Sequence, residues 1–137
     1  ITRRALDALG LTNGASHSEY KITKEGRVVV MEIAGRMGGD FIGSDLVKLS
    51  TGYDFLKGVF EVALGEFSVP VKSIRKYAGV YFLCEETKSL LPCFRRSKED
   101  VSIVRCEYSD TDMRNVTCSA DRCGYLIYQS DILFQLK

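Results

Sequence analysis

Glu19 and Glu32, with Arg36 four residues further on, are the side chains whose types and spacing carry the most chemistry in this sequence. They lie in the stretch ASHSEYKITKEGRVVVMEIAGR, from Ala15 to Arg36. Two runs with strand-like alternation flank Lys24-Glu25-Gly26-Arg27, a polar turn carrying one glycine for a positive φ. A two- or four-residue loop there pairs residues whose numbers sum to 51. That register sets Tyr20 opposite Met31, Ile22 opposite Val29 and Ser18 opposite Ile33 on a mostly apolar face. The other face carries His17, Glu19, Lys21 and Thr23 against Ala34, Glu32, Val30 and Val28, so that Glu19 meets Glu32 directly.

Directly opposed residues have Cβ atoms about 5 Å apart, and two carboxylates at that distance repel by roughly 3 kcal/mol at an effective dielectric near 20. Protonation of one, full solvation of both, or a bridging divalent cation would relieve the repulsion. Glutamates are hard oxygen ligands, and so few protein carboxylates suit a magnesium ion that completes its shell with water and phosphate. Arg36 supplies a fork for phosphate oxygens, and His17 shares the face of Glu19, two residues away. The same pattern also describes an exposed hairpin face with incidental charge, in which Lys21 offsets part of the repulsion. Val28 and Val30, placed on that face by this register, count against full exposure. Periodicity alone leaves both readings open.

The elements around these residues follow from breakers and caps. Thr2 to Leu9 reads as a short helix stopped by Gly10. After the hairpin, Gly35, Gly38 and Gly39 bracket Arg36 and Met37 in a turn where backbone can approach a ligand; an ordinary turn fits equally well. No Walker lysine is present, so this is not a P-loop. Ser44 is expected to cap a short helix bearing Leu46, Val47 and Leu49, broken at Thr51-Gly52. Asp54 caps a longer one whose Phe55, Leu56, Val59, Phe60 and Ala63 form a core-facing stripe, with Gly65 as its stop.

From Ser68 onward the character changes. Pro70 and Pro92 punctuate, and the runs Tyr77–Cys84, Val101–Tyr108, Val116–Cys118 and Tyr125–Tyr128 are β-branched and aromatic. Ser97–Asp100 and Ser109–Met113 read as polar connections, and Ser130-Asp131 as the opening of a helix. The fold class is therefore α+β: a ligand-bearing hairpin with packed helices in residues 1–67, then a small antiparallel β-rich subdomain in 68–137.

The 137 residues are 45% hydrophobic with a net charge of +1, which is enough for a hydrophobic core. That balance, without a lysine and arginine cluster interleaved with aromatics, argues against a nucleic-acid partner. No apolar run approaches the roughly 20 residues needed to span a membrane. The five cysteines (Cys84, Cys93, Cys106, Cys118, Cys123) are an odd count without a secretion signal, which suits reduced thiols and a cytoplasmic location. Cys118 and Cys123 have a weak zinc spacing, and the only histidine, His17, is far away in sequence. Cys84 and Cys106 lie in apolar runs as core fillers. Asn115-Val116-Thr117 matches a glycosylation sequon that means nothing without a secretory route. The chain opens at Ile1 inside a helix-like segment and closes at Lys137, which reads as a piece of a longer protein.

The run Asn13-Gly14-Ala15-Ser16-His17-Ser18-Glu19, a second glutamate thirteen residues on and an arginine four after that together resemble the C-terminal part of the ATP-grasp carboxylate–amine ligases. The branch holding L-amino acid ligases and related dipeptide-forming enzymes is the most similar. The lead-in helix (Ala5, Leu6, Leu9, Gly10) and the STGYDF segment resemble it too. The likeness covers about residues 1–66, with the GYLIY run from Gly124 a weaker match.

The resemblance implies a parent enzyme that phosphorylates a carboxylate with ATP and lets an amine attack the acyl phosphate, forming an amide or peptide bond. It implies two magnesium ions, with manganese as a substitute, held by Glu19 and Glu32. Arg36 would sit on the transferred phosphoryl group, His17 near the acyl phosphate or amine, and Gly38, Gly39 and Asp40 along the nucleotide and substrate pocket. Substrates would be a small carboxylate and an amine, both amino acids, and a homo-oligomer is possible. Many ATP-grasp enzymes carry Glu-x-Asn, but Ala34 stands two residues after Glu32. The amino acid ligase branch also does without that asparagine, which favours it over D-alanine–D-alanine, purine-pathway or carbamoyl-phosphate-type ligases. The family's nucleotide-cradling strands and phosphate lysines lie upstream of the matched residues, so the isolated 137 residues are expected to be inactive. A non-catalytic nucleotide-binding or oligomerisation module is the alternative reading.

Overall fold

The computed structural model describes residues 1–111 and 113–136. Asp112, inside the expected Ser109–Met113 connection, and Lys137 lie outside the described residues. The chain divides into two compact units: residues 1–45 with 54–71, and residues 46–53 with 72–137.

The first unit holds helix α1 (Thr2–Ala8), the antiparallel pair β1 (His17–Ile22) and β2 (Val28–Ala34), and helix α3 (Phe55–Leu64). Helix α1 reaches the hairpin through a 2.6 Å hydrogen bond between the hydroxyls of Thr2 and Tyr20. Asp54 caps α3 by accepting from the Lys57 amide at 3.0 Å, and Gly65 ends it at φ +74°, as its sequence leads one to expect.

The hairpin register departs from a uniform sum of 51. Gly26 N–H donates to Thr23 O at 3.0 Å and Thr23 N–H to Arg27 O at 2.9 Å, closing a three-residue loop with Gly26 at φ +78°. That loop couples a β-turn to a left-handed glycine, and it pairs Ile22 with Val28, Lys21 with Val29 and Tyr20 with Val30. Between Tyr20 and Glu19 a β-bulge absorbs Met31, after which Glu19 faces Glu32, Ser18 faces Ile33 and His17 faces Ala34. The expected pairing therefore holds at the glutamate end and fails at the turn end. Val28 and Val30 belong to the Tyr20 and Ile22 face, not to that of the glutamates; Val29 takes the place beside Lys21.

The second unit contains α2 (Val47–Thr51) and the antiparallel strands β3 (Tyr77–Leu83), β4 (Ile103–Tyr108) and β5 (Gly124–Ser130), ordered β3-β5-β4. Between β3 and β4 come a 3₁₀ turn at Glu85–Leu90, helix α4 (Leu91–Arg95) and a 3₁₀ turn at Ser97–Glu99. As central strand, β5 is covered on both faces: Leu126 and Ile127, on opposite sides, are each 0% exposed. Leu126 packs with Leu83 and Phe94 in a core extended by Tyr81, Leu90, Leu91, Ile103 and Cys106. Gln129 Nε2 donates to Leu49 O at 2.6 Å, tying β5 to α2. Cys84 is buried and Cys106 half-buried beside this core.

Three sequence expectations are corrected. Ser44 caps nothing, because a π-helical turn over Ile42–Leu46 runs directly into α2 and the Ser44 hydroxyl donates to Asp45 Oδ2 instead. Residues 116–118 form no strand: the amides of Thr117 and Cys118 are taken by the Asp121 carboxylate, which organises a 3₁₀ turn at Ser119–Asp121. Ser130-Asp131 opens no helix; the chain from Asp131 to Leu136 is irregular. Missed altogether was helix α4, whose Phe94 is the largest fully buried side chain.

Two outcomes follow. Phe94→Ala is expected to destabilise the second unit by about 3–5 kcal/mol, measured as a lowered denaturation midpoint with secondary structure of the first unit retained. Asp121 accepts from the Thr117 hydroxyl and from the amides of Thr117 and Cys118, and these bonds hold its carboxyl down at about 2. Its contribution to the turn is complete above the ordinary carboxylate value and is lost as pH falls through about 2. A carboxyl titration by NMR should find that midpoint, and Asp121→Asn should remove the acid transition from the Thr117 and Cys118 amides.

Candidate active site

The bulge and turn together set four side chains on one side of the hairpin. His17 and Glu19 come from β1, Glu32 from β2, and Arg36 from the segment that leaves β2. Each glutamate has a local side-chain partner, a histidine for Glu19 and an arginine for Glu32. His17 Nε2 lies 3.0 Å from Glu19 Oε1, and Arg36 donates to Glu32 Oε1 at 2.8 Å while also donating to Met37 O at 2.9 Å. Side-chain exposures of 57% for Glu19 and 42% for Glu32 leave both carboxylates open to solvent. The cross-strand repulsion is thus relieved by solvent and by the Arg36–Glu32 ion pair, an exposed pair worth at most about 1 kcal/mol.

Carboxylate oxygens on two facing glutamates are a hard-oxygen donor set, and each glutamate has one oxygen with no hydrogen bond among the described residues. The set suits a magnesium ion that draws its remaining ligands from water and phosphate. Among the described residues no group of three or more His, Cys, Asp or Glu is gathered to hold a metal alone, so a protein-only cage is not on offer. Ala34, paired with His17, adds no ligand.

His17 is the most enclosed of the four, with a side chain 18% exposed. Its position depends on Gly38: a Cβ on that glycine would lie 2.9 Å from His17 Nδ1 and 3.1 Å from Ile42 Cβ. The glycine is there because the ring and Ile42 occupy the space a side chain needs. Gly39 differs, since a Cβ there would meet nothing within 4 Å. The structure therefore brings His17, Glu19, Glu32, Arg36 and Gly38 together, and it gives Gly39 no packing reason to be glycine.

Sequence reasoning missed two local features. Asp40 and Phe41 both have positive φ, 50° and 64°, immediately before the π-helical turn at Ile42–Leu46. Such angles are uncommon for a bulky residue and cluster at functional loops. Asp40 was legible as a residue that tolerates this region; nothing in the sequence marks Phe41. The second feature is Met31, whose extra place in β2 is visible only once the turn length is known.

Gly38→Ala is expected to push His17 away from Glu19 at a cost of about 1–3 kcal/mol. The change should appear as altered His17 ring resonances together with a lowered melting temperature, whereas Gly39→Ala should leave both nearly unchanged.

No protein-family profile matches this sequence, and no curated protein matches it. Solved structures do. A phosphoribosylglycinamide synthetase from Anaerococcus prevotii superposes with a TM-score of 0.70 at 20% identity, over 96% of this chain and 35% of its own. An L-amino acid ligase from Bacillus licheniformis gives a TM-score of 0.67 at 22% identity, over 93% of this chain and 34% of its own. This chain therefore spans about a third of the length of each. Both are ATP-grasp ligases, and the α+β fold of these 137 residues is the ATP-grasp fold of that third.

Proposed function

We propose that this chain is part of an ATP-dependent carboxylate–amine ligase that forms an amide or peptide bond between amino acids through an acyl phosphate. The observation that carries this reading is the register that sets Glu19 against Glu32 on an open face, with Arg36 and His17 beside them. Like charges are unfavourable in such a pair, and a divalent cation turns the same juxtaposition into a binding site. The run GASHSE and the absence of asparagine at Ala34 favour amino acid ligases within the fold.

In this reading Glu19 and Glu32 would hold magnesium, which when bound neutralises phosphate charge during phosphoryl transfer. Glu32 would contribute to holding both ions. Arg36 turns its guanidinium to phosphate oxygens, where its fork matches their geometry and offsets charge on the transferred group. His17, held at Nε2 by Glu19 and backed by Gly38, presents its imidazole to the acyl phosphate or the incoming amine. Gly38, Gly39 and Asp40 line the approach. ATP and the carboxylate and amine substrates complete the site together with portions of an ATP-grasp enzyme beyond the third matched here, so these 137 residues alone are inactive.

In the complete protein, phosphate release should require both a carboxylate and an amine from a panel of amino acids. Glu32→Gln should lower it by about a hundredfold or more, while the folded state, read by circular dichroism, is kept. Release that needs neither amino acid, or that survives the substitution, would overturn the assignment. Phosphate release by the isolated 137 residues would overturn the claim that they are inactive alone.

A further inference from the structure

We infer that the second unit carries a binding site of its own for a free α-amino acid with an apolar side chain, in a cleft bounded by Arg96, Glu99, Ile103 and the segment Phe134–Leu136. The cleft is an open one of about 440 Å³, within the size range of small-ligand pockets. It lies far along the chain from Glu19 and Glu32, and the inference stands whether or not the ligase reading does.

The apolar side of the cleft is built into the core. Ile103 and Leu136 pack against Leu83, Phe94 and Leu126. The Phe134 ring stacks on Tyr128 with centroids 4.4 Å apart. Val101 forms the rim. The polar side is fixed by backbone bonds: Glu99 N–H donates to Arg96 O at 2.9 Å, Ile103 N–H to Asp100 O at 3.0 Å, and Ser102 N–H to Asp100 Oδ1 at 2.8 Å. The loop from Arg96 to Ile103 is thereby held in one course, and its charged heads are carried on an ordered frame.

Arg96 and Glu99 stand three residues apart, yet they form no ion pair with each other, and neither side chain has another hydrogen-bonding partner among the described residues. The lining carries one guanidinium and two carboxylates, of which Asp100 already accepts the Ser102 amide, so Arg96 and Glu99 beside the apolar wall are left to match a zwitterion. Its carboxylate meets the Arg96 fork, its ammonium meets Glu99, and its side chain takes the wall of Ile103, Phe134 and Leu136. A nucleotide fits less well, because Glu99 and Asp100 would face its phosphates. An uncharged apolar ligand would leave both charges idle.

The test is a methyl-resolved NMR titration of the chain with L-leucine, followed at Val101, Ile103 and Leu136. Saturable shifts are expected there, weakened about tenfold by either Arg96→Gln or Glu99→Gln. Both positions are exposed, so folding should be unaffected. N-acetyl-L-leucine, which lacks the ammonium, L-leucinamide, which lacks the carboxylate, and glycine, which lacks the side chain, should each bind correspondingly less. Absence of saturable shifts, shifts confined to residues elsewhere, or equal binding of the blocked compounds would overturn the site.

Discussion

Two carboxylates facing each other across a two-stranded ladder are the constraint around which the first unit is organised. The pair exists only because the register is right, and the register results from two opposing local devices. The three-residue loop, closed by Gly26 in the left-handed region, brings the strands together one residue out of step with the glutamate end. The bulge at Met31 restores that step before Glu32 is reached. A one-residue slip in a ladder sends a side chain to the other face, so without the bulge Glu32 would share a face with Ser18 rather than with Glu19. The chemistry of the site thus depends on a residue that supplies none of it.

The side chains beside the glutamates show how such a juxtaposition is tolerated. His17 and Arg36 are near neighbours in sequence of the glutamates they contact, so the pairing is short-range in sequence. Open carboxylates and exposed ion pairs are cheap to rearrange, which suits the partner exchange that the proposed metal and phosphate binding would require. Gly38 shows the opposite principle: the space beside His17 is filled, and the ring is held by what surrounds it.

The two units are stabilised differently. In the second, a central strand buried on both faces, with Phe94 from a short helix closing one side, makes a core of its own. In the first, only Gly43 and Gly58 are buried, and Ile22, Val28, Val29, Val30 and Met31 remain exposed on the hairpin. A two-stranded hairpin is marginal by itself in water, and here the apolar surface of β2 exceeds what α1 and the neighbouring loops cover.

Much of this was legible in the sequence because it rests on local rules. Asp54 and Gly65 bound their helix through a cap and a left-handed stop, and Gly26 marks the turn. These depend on residues a few positions apart. What failed depended on competition between distant or alternative partners. The loop length, three residues rather than two or four, was settled by hydrogen bonds between Thr23, Gly26 and Arg27, and with it went the face assigned to Val28 and Val30. Residues 116–118 look β-prone, but Asp121 takes their amides before a strand can. Helix α4 has little helical pattern and exists because Phe94 fills the space against Leu83 and Leu126. The sequence by itself determined which groups could do chemistry and which residues could turn or cap the chain; only the tertiary structure decided register, the room beside His17 and the core that makes Phe94 a buried residue, because those are set by what fills space across the chain.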